Sequence, residues 1–326
     1  YSMRIKDYKM EKIDEFIPKD AIGETLLNIM KVNKKIVVLS SDVSESVNIE
    51  QIKQKFPNRF FEMGIAEQST MTVAGGLASE GFIPVYAALA IFSAGMTYPQ
   101  MRQVCNANLN VKIIGTHPGV DNGGDGSGHH ATEDLAITRA IPRMTVLTPS
   151  DINEVSAAIK EAIKIEGPVY IRAARAEMAN IHHENCTFLI GKVEVIEEYG
   201  DDFAIVYEGS AAKQALEAWS QIRNKKYKGK LVSIRTIKPI DKEFLINLAK
   251  SVNLIITIEN HSIIGGLYSA ICETLGGQSS MTKIIPIGFK DCFTESGDQK
   301  DIKDKYGLNA ENICKKIIEN MGIINE

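Results

Sequence analysis

Two short segments of this 326-residue chain combine residue types that a plain α/β core does not require. The first is Glu62-Met63-Gly64-Ile65-Ala66-Glu67-Gln68, where a strand-like run ends near a glycine and Glu67 opens a helix-like one. Taken alone, Glu67 needs no chemistry, because an acid in a first turn is favoured by the helix dipole. The second is Thr116-His117-Pro118-Gly119, then Asp121-Asn122-Gly123-Gly124-Asp125-Gly126-Ser127-Gly128-His129-His130. Glycines at this density give up chain entropy so that backbone can approach something closely. A loop that merely connects does not need three histidines and two aspartates as well. Those are metal-ligand types, but no HxxxH or HExxH spacing is present, so no metal site is expected on this chain. A solvated loop with incidental metal affinity is the plainer alternative.

The elements around these segments explain how they would be held. Apolar β-branched runs alternate with helical patterns, which predicts parallel α/β layers. Strands are expected at Ile36–Leu39, Arg59–Glu62, Ile83–Ala87, Val111–Gly115, Met144–Leu147 and Val169–Arg172, with helices over Ala21–Val32, Glu67–Ser79, Phe92–Asn106 and Asp151–Ile165. Thr148-Pro149-Ser150-Asp151 offers a turn and an N-cap for the last helix. Ile181–Gly191 reads as a polar connector, after which strands are expected at Phe203–Tyr207, Leu231–Ile237, Leu254–Glu259 and Lys283–Ile287. The expected organisation is an N-terminal extension over 1–17, one domain over 18–185 and a second over 186–326. The loop at 116–130 follows a strand, where open α/β sheets place ligands.

Bulk properties exclude several classes. A hydrophobic content of 44% and this length allow two buried cores. A net charge of −4 comes from 41 acidic and 37 basic residues that are mixed along the chain, so no basic stripe suits nucleic acid. Gly81 to Met101 carries no acid or lysine, but Pro84, Pro99, Ser93, Thr97 and Gln100 break it, so a strand and a helix are expected rather than a membrane span. Met3 to Lys19 is too charged for a secretory signal. Five scattered cysteines without a CxxC pair fit a reducing cytoplasm.

Together the motifs resemble the transketolase family, in the form split over two chains. Gly64-Ile65-Ala66-Glu67-Gln68 is similar to the family's G-I-A-E-Q, and Thr116-His117 through Asp125-Gly126 to His129 to its T-H…E-D-G-x-x-H. Further on, Glu259-Asn260-His261-Ser262-Ile263-Ile264-Gly265-Gly266-Leu267 and Lys290–Gly297 resemble its C-terminal E-x-H-S-I-I-G-G-L and K-D-x-F-x-x-S-G. The resemblance implies a thiamine-diphosphate-binding pyrimidine-type parallel-sheet domain followed by a smaller transketolase C-terminal α/β domain. It also implies a cytoplasmic transferase of two-carbon ketol units from a ketose to an aldose.

Roles carry over residue by residue. Glu67 would bond N1′ of the cofactor's aminopyrimidine, in a site buried enough to raise its pKa. Ile65 would wedge the bent cofactor, Phe92 would stack on its ring, and Asp42 with Val43 would contact it. His117, Asp125 and His129 would line the funnel and handle hydroxyl protons, a histidine being poised for this near pH 7. Arg175 would meet an anionic group at the far end of the sugar, with Ser46 as a further substrate contact.

Absences and departures matter too. Gly124-Asp125-Gly126 with Asn153 only mimics the family's magnesium motif, because the loop already claims those residues. Mg²⁺ and the diphosphate are therefore expected on an N-terminal partner subunit carrying G-D-G…N-N, most simply as α₂β₂. Asp20 stands where an arginine often binds sugar phosphate, Leu89 replaces an aromatic, Gly124 a glutamate and His130 a glutamine. These changes put the usual sugar phosphates in question. A 2-oxoacid dehydrogenase β subunit, a deoxyxylulose-phosphate synthase-like enzyme and a non-catalytic binding subunit are the competing readings.

Overall fold

The structure is a computed structural model that describes residues 14–223, 225–278 and 282–324. Most of the expected N-terminal extension, residues 1–13, lies outside the described residues.

The first half runs β1 (Glu15–Phe16), α1 (Ala21–Val32), β2 (Ile36–Ser40), α2 (Glu50–Lys55), β3 (Phe60–Glu62), α3 (Glu67–Ser79) and β4 (Ile83–Leu89). It continues with α4 (Tyr98–Asn106), β5 (Lys112–Thr116), α5 (Asp134–Ala140), β6 (Thr145–Leu147), α6 (Ile152–Lys164), β7 (Val169–Ala173) and β8 (Met178–Ala179). The second half holds β9 (Glu194–Glu198), β10 (Phe203–Glu208), α7 (Ala212–Ile222), β11 (Gly229–Ile234), β12 (Thr236–Lys238), α8 (Lys242–Ser251) and β13 (Leu254–Ser262). It ends with α9 (Leu267–Leu275), β14 (Lys283–Phe289), α10 (Gln299–Lys305) and α11 (Ala310–Ile324).

Two sheets dominate. The larger has the order β12-β6-β7-β5-β4-β2-β3, and the smaller β14-β13-β10-β11-β9. β2, β4, β5 and β7 are buried along their whole length. That is why their sequences are continuous apolar runs, since a parallel sheet is covered on both faces. Ile22, Leu26 and Met30 of α1 and Val155, Ala158 and Ile159 of α6 cover one face, packing with Val38, Val85 and Ile114. Met71 and Ala74 of α3 and Met101 and Val104 of α4 cover the other, with Leu39, Tyr86 and Ile113. The second cluster runs on without a break into Val206, Val232 and Ile255 of the smaller sheet. The two halves therefore share apolar core.

Two expectations are corrected. The run Leu231–Ile237 is not one strand: β11 ends at Ile234, and β12 crosses to the larger sheet, antiparallel to β6. Buried Arg235 sits at the break and pairs with Glu154 and Glu194. Nor is Phe92–Asn106 one helix. A π-helical turn at Ile91–Met96 precedes α4, which restarts at Tyr98 with Pro99 in its first turn. Among the described residues no helix is long and apolar enough to cross a membrane.

Candidate active site

The larger sheet's parallel strands all release their loops at one edge, where open sheets bind ligands. The order β7-β5-β4-β2-β3 therefore sets in a row Arg175, His117, Phe92, Asp42 with Val43, and Ile65 with Glu67. At about 4.8 Å per strand this row spans roughly 19 Å. Sequence-distant residues are neighbours because the strand order is not the chain order.

At the β3 end, Gly64 takes φ +69°, a left-handed turn with open space around it. Ile65 is left 81% exposed, an apolar side chain presented outward beside the acid. Glu67 opens α3 and is half-buried. This chain alone therefore does not supply the full burial expected of it. Beneath it, the buried Ser41 hydroxyl bonds Thr70 at 2.9 Å and the Tyr86 hydroxyl at 3.1 Å. Burial pushes the Tyr86 pKa up, Ser41 partly offsets this, and the Glu67 charge adds to it, so Tyr86 stays protonated.

Glu62 was not singled out by residue type, yet it joins two loops of the site. Its Oε1 accepts the Asp42 N–H at 2.7 Å and the Gly64 N–H at 3.3 Å. Asp42 is held at φ +59°, a conformation rare for a non-glycine residue. Its side chain is exposed and that of Val43 half-buried. Phe92 lies on the π-helical turn, a rare geometry that often marks functional sites. It meets the His129 ring edge-on at 5.3 Å and 79°.

The glycine-rich loop divides its histidines. His117 is buried at φ +56°, with Nδ1 2.8 Å from the Thr116 hydroxyl. Burial lowers its pKa to about 4, with the Arg175 and Lys19 charges adding and Asp121 and Asp125 partly offsetting. It is thus neutral at pH 7 rather than poised there, and it accepts protons weakly. His129 is half-buried and Asp125 exposed. His130 turns away, bonding Thr294 Oγ1 at 2.5 Å and the Gly123 carbonyl at 3.1 Å. It ties the loop to the second half of the chain.

At the far end Arg175 is exposed, and its Nη1 reaches the Asp121 carbonyl at 3.5 Å. The Lys19 N–H donates to the Ala174 carbonyl at 3.1 Å, which puts Lys19 and Asp20 beside Arg175. The Asp20 carboxylate lies 3.3 Å from Lys19 Nζ, so the acid at the expected arginine position carries its own cation. No motif pointed to Lys19. Ser46 is exposed in the turn after β2.

Asn153, the residue that mimicked a magnesium ligand, donates to Asn180 and to the His182 carbonyl. Among the described residues Glu154, His182 and Glu194 bring metal-ligand atoms within 4.8 Å of one another. That group already holds two cations of its own, His182 and Arg235. Burial opposes charge on His182, but Glu154, Asp151 and Glu194 outweigh it and raise its pKa well above the usual range. Arg235 adds contacts of 3.3 Å to Glu154 and 3.0 Å to Glu194.

A row of candidate residues along one edge of a parallel sheet, followed by a second α/β unit, is an α/β architecture that comparison with known proteins assigns to a family. Residues 18–180 match the family description "Transketolase, pyrimidine binding domain" and 191–313 "Transketolase, C-terminal domain". A transketolase C-terminal section of Methanocaldococcus jannaschii is 37% identical, covering 92% of this chain and 94% of the relative. A 6-deoxy-6-sulfo-D-fructose transketolase subunit of a Clostridium species is 33% identical, covering 93% and 94%. Among solved structures, a split-gene transketolase described as an inactive β₄ tetramer superposes with TM-score 0.85 at 35% identity, over 95% of this chain and 99% of that one. The chain belongs to the transketolase family, as a transferase subunit of the split, C-terminal kind. A 1-deoxy-D-xylulose-5-phosphate synthase of Geobacter sulfurreducens is 34% identical, but this chain spans only 46% of it, so that reading is the weaker one. The family implies thiamine diphosphate as cofactor and a separate N-terminal subunit as partner.

Proposed function

We propose that this chain, paired with an N-terminal subunit carrying the G-D-G…N-N motif, moves a two-carbon ketol unit from a ketose donor to an aldose acceptor. The observation that carries the reading is the single row from Arg175 through His117 and Phe92 to Ile65 and Glu67 along one sheet edge. The residues fit a flat heterocycle: an outward aliphatic side chain at Ile65, an aromatic at Phe92 and a half-buried acid at Glu67 all follow strands at one edge of the sheet.

Thiamine diphosphate, when bound, supplies the nucleophilic carbon that accepts and then releases the two-carbon unit. Glu67 shares a proton with N1′ of the pyrimidine, and burial by the partner's surface completes its desolvation. Ile65 and Phe92 would hold the cofactor's heterocycle, with Asp42 and Val43 contacting it from the β2 loop. Neutral His117 accepts a hydrogen bond from a substrate hydroxyl, while His129 and Asp125 take or return hydroxyl protons. Arg175, with Lys19 beside it, pairs with an anionic terminus, and Ser46 extends the pocket. The partner holds Mg²⁺ and the diphosphate in an α₂β₂ assembly in the cytoplasm, and the domain boundary falls near residue 185.

A donor–acceptor screen on the co-purified pair tests this. Ketoses ending in phosphate, sulfonate or a hydroxyl should differ in rate, with at least one turning over in a cofactor-dependent way. No ketol transfer from any of them would overturn the reading.

A further inference from the structure

Asp121 lies in the glycine-rich loop, yet its side chain is spent entirely on neighbours. It is buried, its Oδ2 accepting the backbone N–H groups of Arg175 at 3.0 Å and Ala176 at 3.2 Å. Its Oδ1 accepts from Asn260 Nδ2 at 3.0 Å and from Lys303 Nζ at 3.1 Å. Both of those donors come from the second half of the chain. Lys303 is itself 5% exposed, so the pair is a buried salt bridge across the junction. The same Asn260 amide accepts the Val120 N–H at 3.2 Å and donates to the Pro118 carbonyl at 3.2 Å. Gly119 allows this approach, since a Cβ there would meet Asn260 Oδ1 at 2.0 Å. Arg175, Asp121 and Lys303 share the wall of a cavity of about 720 Å³ at the junction.

A buried ion pair is seldom the cheapest way to gain stability, because apolar residues of similar volume often do as well. What this one fixes is geometry. Four donors set Asp121, and Asp121 sets the backbone from which the Arg175 guanidinium projects, two strand-ends from Phe92.

We propose that Lys303, acting through Asp121, is a positioning residue that makes the C-terminal half a determinant of how the substrate's anionic end is bound. This rests on Arg175 being the anchor for that end. The pair gives the second half a part in substrate selection without touching substrate.

The test uses the full-length chain reconstituted with its partner subunit, assayed with a phosphorylated ketose and with a neutral short ketose as donors. Lys303→Met should raise KM for the phosphorylated donor by roughly tenfold or more, as small misplacements of positioning groups do. The neutral donor should change less than about twofold, additive and independent sites being the reference. Asp121→Asn should behave alike, the double variant should be no worse than either, and Lys303→Arg should restore most of the loss. Equal losses with both donors, or none with either, would overturn the inference. If Lys303→Met does not assemble, Asp121→Asn is read by the same criteria. Arg175→Ala separates the two ideas. If it leaves KM for the phosphorylated donor unchanged, the anchor reading fails, whereas a raised KM there with normal Lys303→Met kinetics sinks only the positioning role.

Discussion

One carboxylate oxygen of Glu62 accepts the Asp42 N–H at 2.7 Å and the Gly64 N–H at 3.3 Å, which ties the loop beyond β2 to the loop beyond β3. A charge-assisted bond of this kind is stronger than a neutral one. Glu62→Ala should weaken retention of thiamine diphosphate by the assembled enzyme, by about five- to tenfold on that account. Titration of activity against cofactor gives the value, and an unchanged apparent Kd would mean the loops hold themselves.

Glu67 separates chemistry from capping. In a first turn an acid contributes only about 0.3–1 kcal/mol to helix stability. Glu67→Ala should therefore leave Tm within a few degrees but cut turnover by orders of magnitude. Hydrogen–deuterium exchange at C2 of bound cofactor, followed by NMR in the assembled enzyme, should slow in parallel. Normal exchange would reduce Glu67 to a helix-terminal acid.

Partner dependence follows from where the site stops. Ile65 is 81% exposed beside a half-buried Glu67, an arrangement that needs covering. The purified chain with thiamine diphosphate and Mg²⁺ should show no ketol transfer, and adding the N-terminal subunit should restore it. Sustained turnover by the chain alone, with contaminants excluded by mass spectrometry, would refute this.

The proposed anchor for the substrate's anionic end is Arg175, with Lys19 and its paired Asp20 beside it. Arg175→Ala should raise KM for a phosphorylated ketose well above its effect on glycolaldehyde as acceptor. Lys19→Ala, which leaves Asp20 uncompensated, should do the same more weakly, and Asp20→Arg should improve kcat/KM for a classical sugar phosphate. If Asp20→Arg changes nothing, the residue lies outside the pocket.

His182 links pH to stability. Its folded pKa is raised well above the ordinary value by Glu154, Asp151 and Glu194 despite burial. The stabilisation is therefore complete below the unfolded pKa of about 6.5 and fades as pH rises through the folded value. His182→Gln should cost about 3–5 kcal/mol near pH 6, as breaking a buried pair does. The gap to the parent chain should narrow in urea melts at high alkaline pH. A pH-independent difference would show that packing, not charge, is lost.

The sequence exposed the frame well because its signals are local. Fully buried strands write themselves as apolar runs, and α1 and α3 fall where their periodicity put them, at Ala21–Val32 and Glu67–Ser79. Four things were hidden because they depend on what lies across space. Glu62 is an ordinary strand-end acid until two loops converge on it. Lys19 is one of many lysines until its backbone bonds Ala174. His117 looked poised near pH 7 until burial and two nearby cations were known. The break at Arg235 has no proline or glycine to announce it.

That break has a practical meaning. β12 belongs by sequence to the second half but lies beside β6, whose other neighbour is β7. A fragment that ends near residue 185 would lose this strand and leave the main chain of β6 unpaired along one side. Such bare edges recruit strands from other molecules. Cutting the gene between its two sequence-defined halves would therefore favour a fragment that self-associates, while a cut placed after Lys238 would keep that edge closed but bare β10, whose neighbour β13 lies beyond the cut.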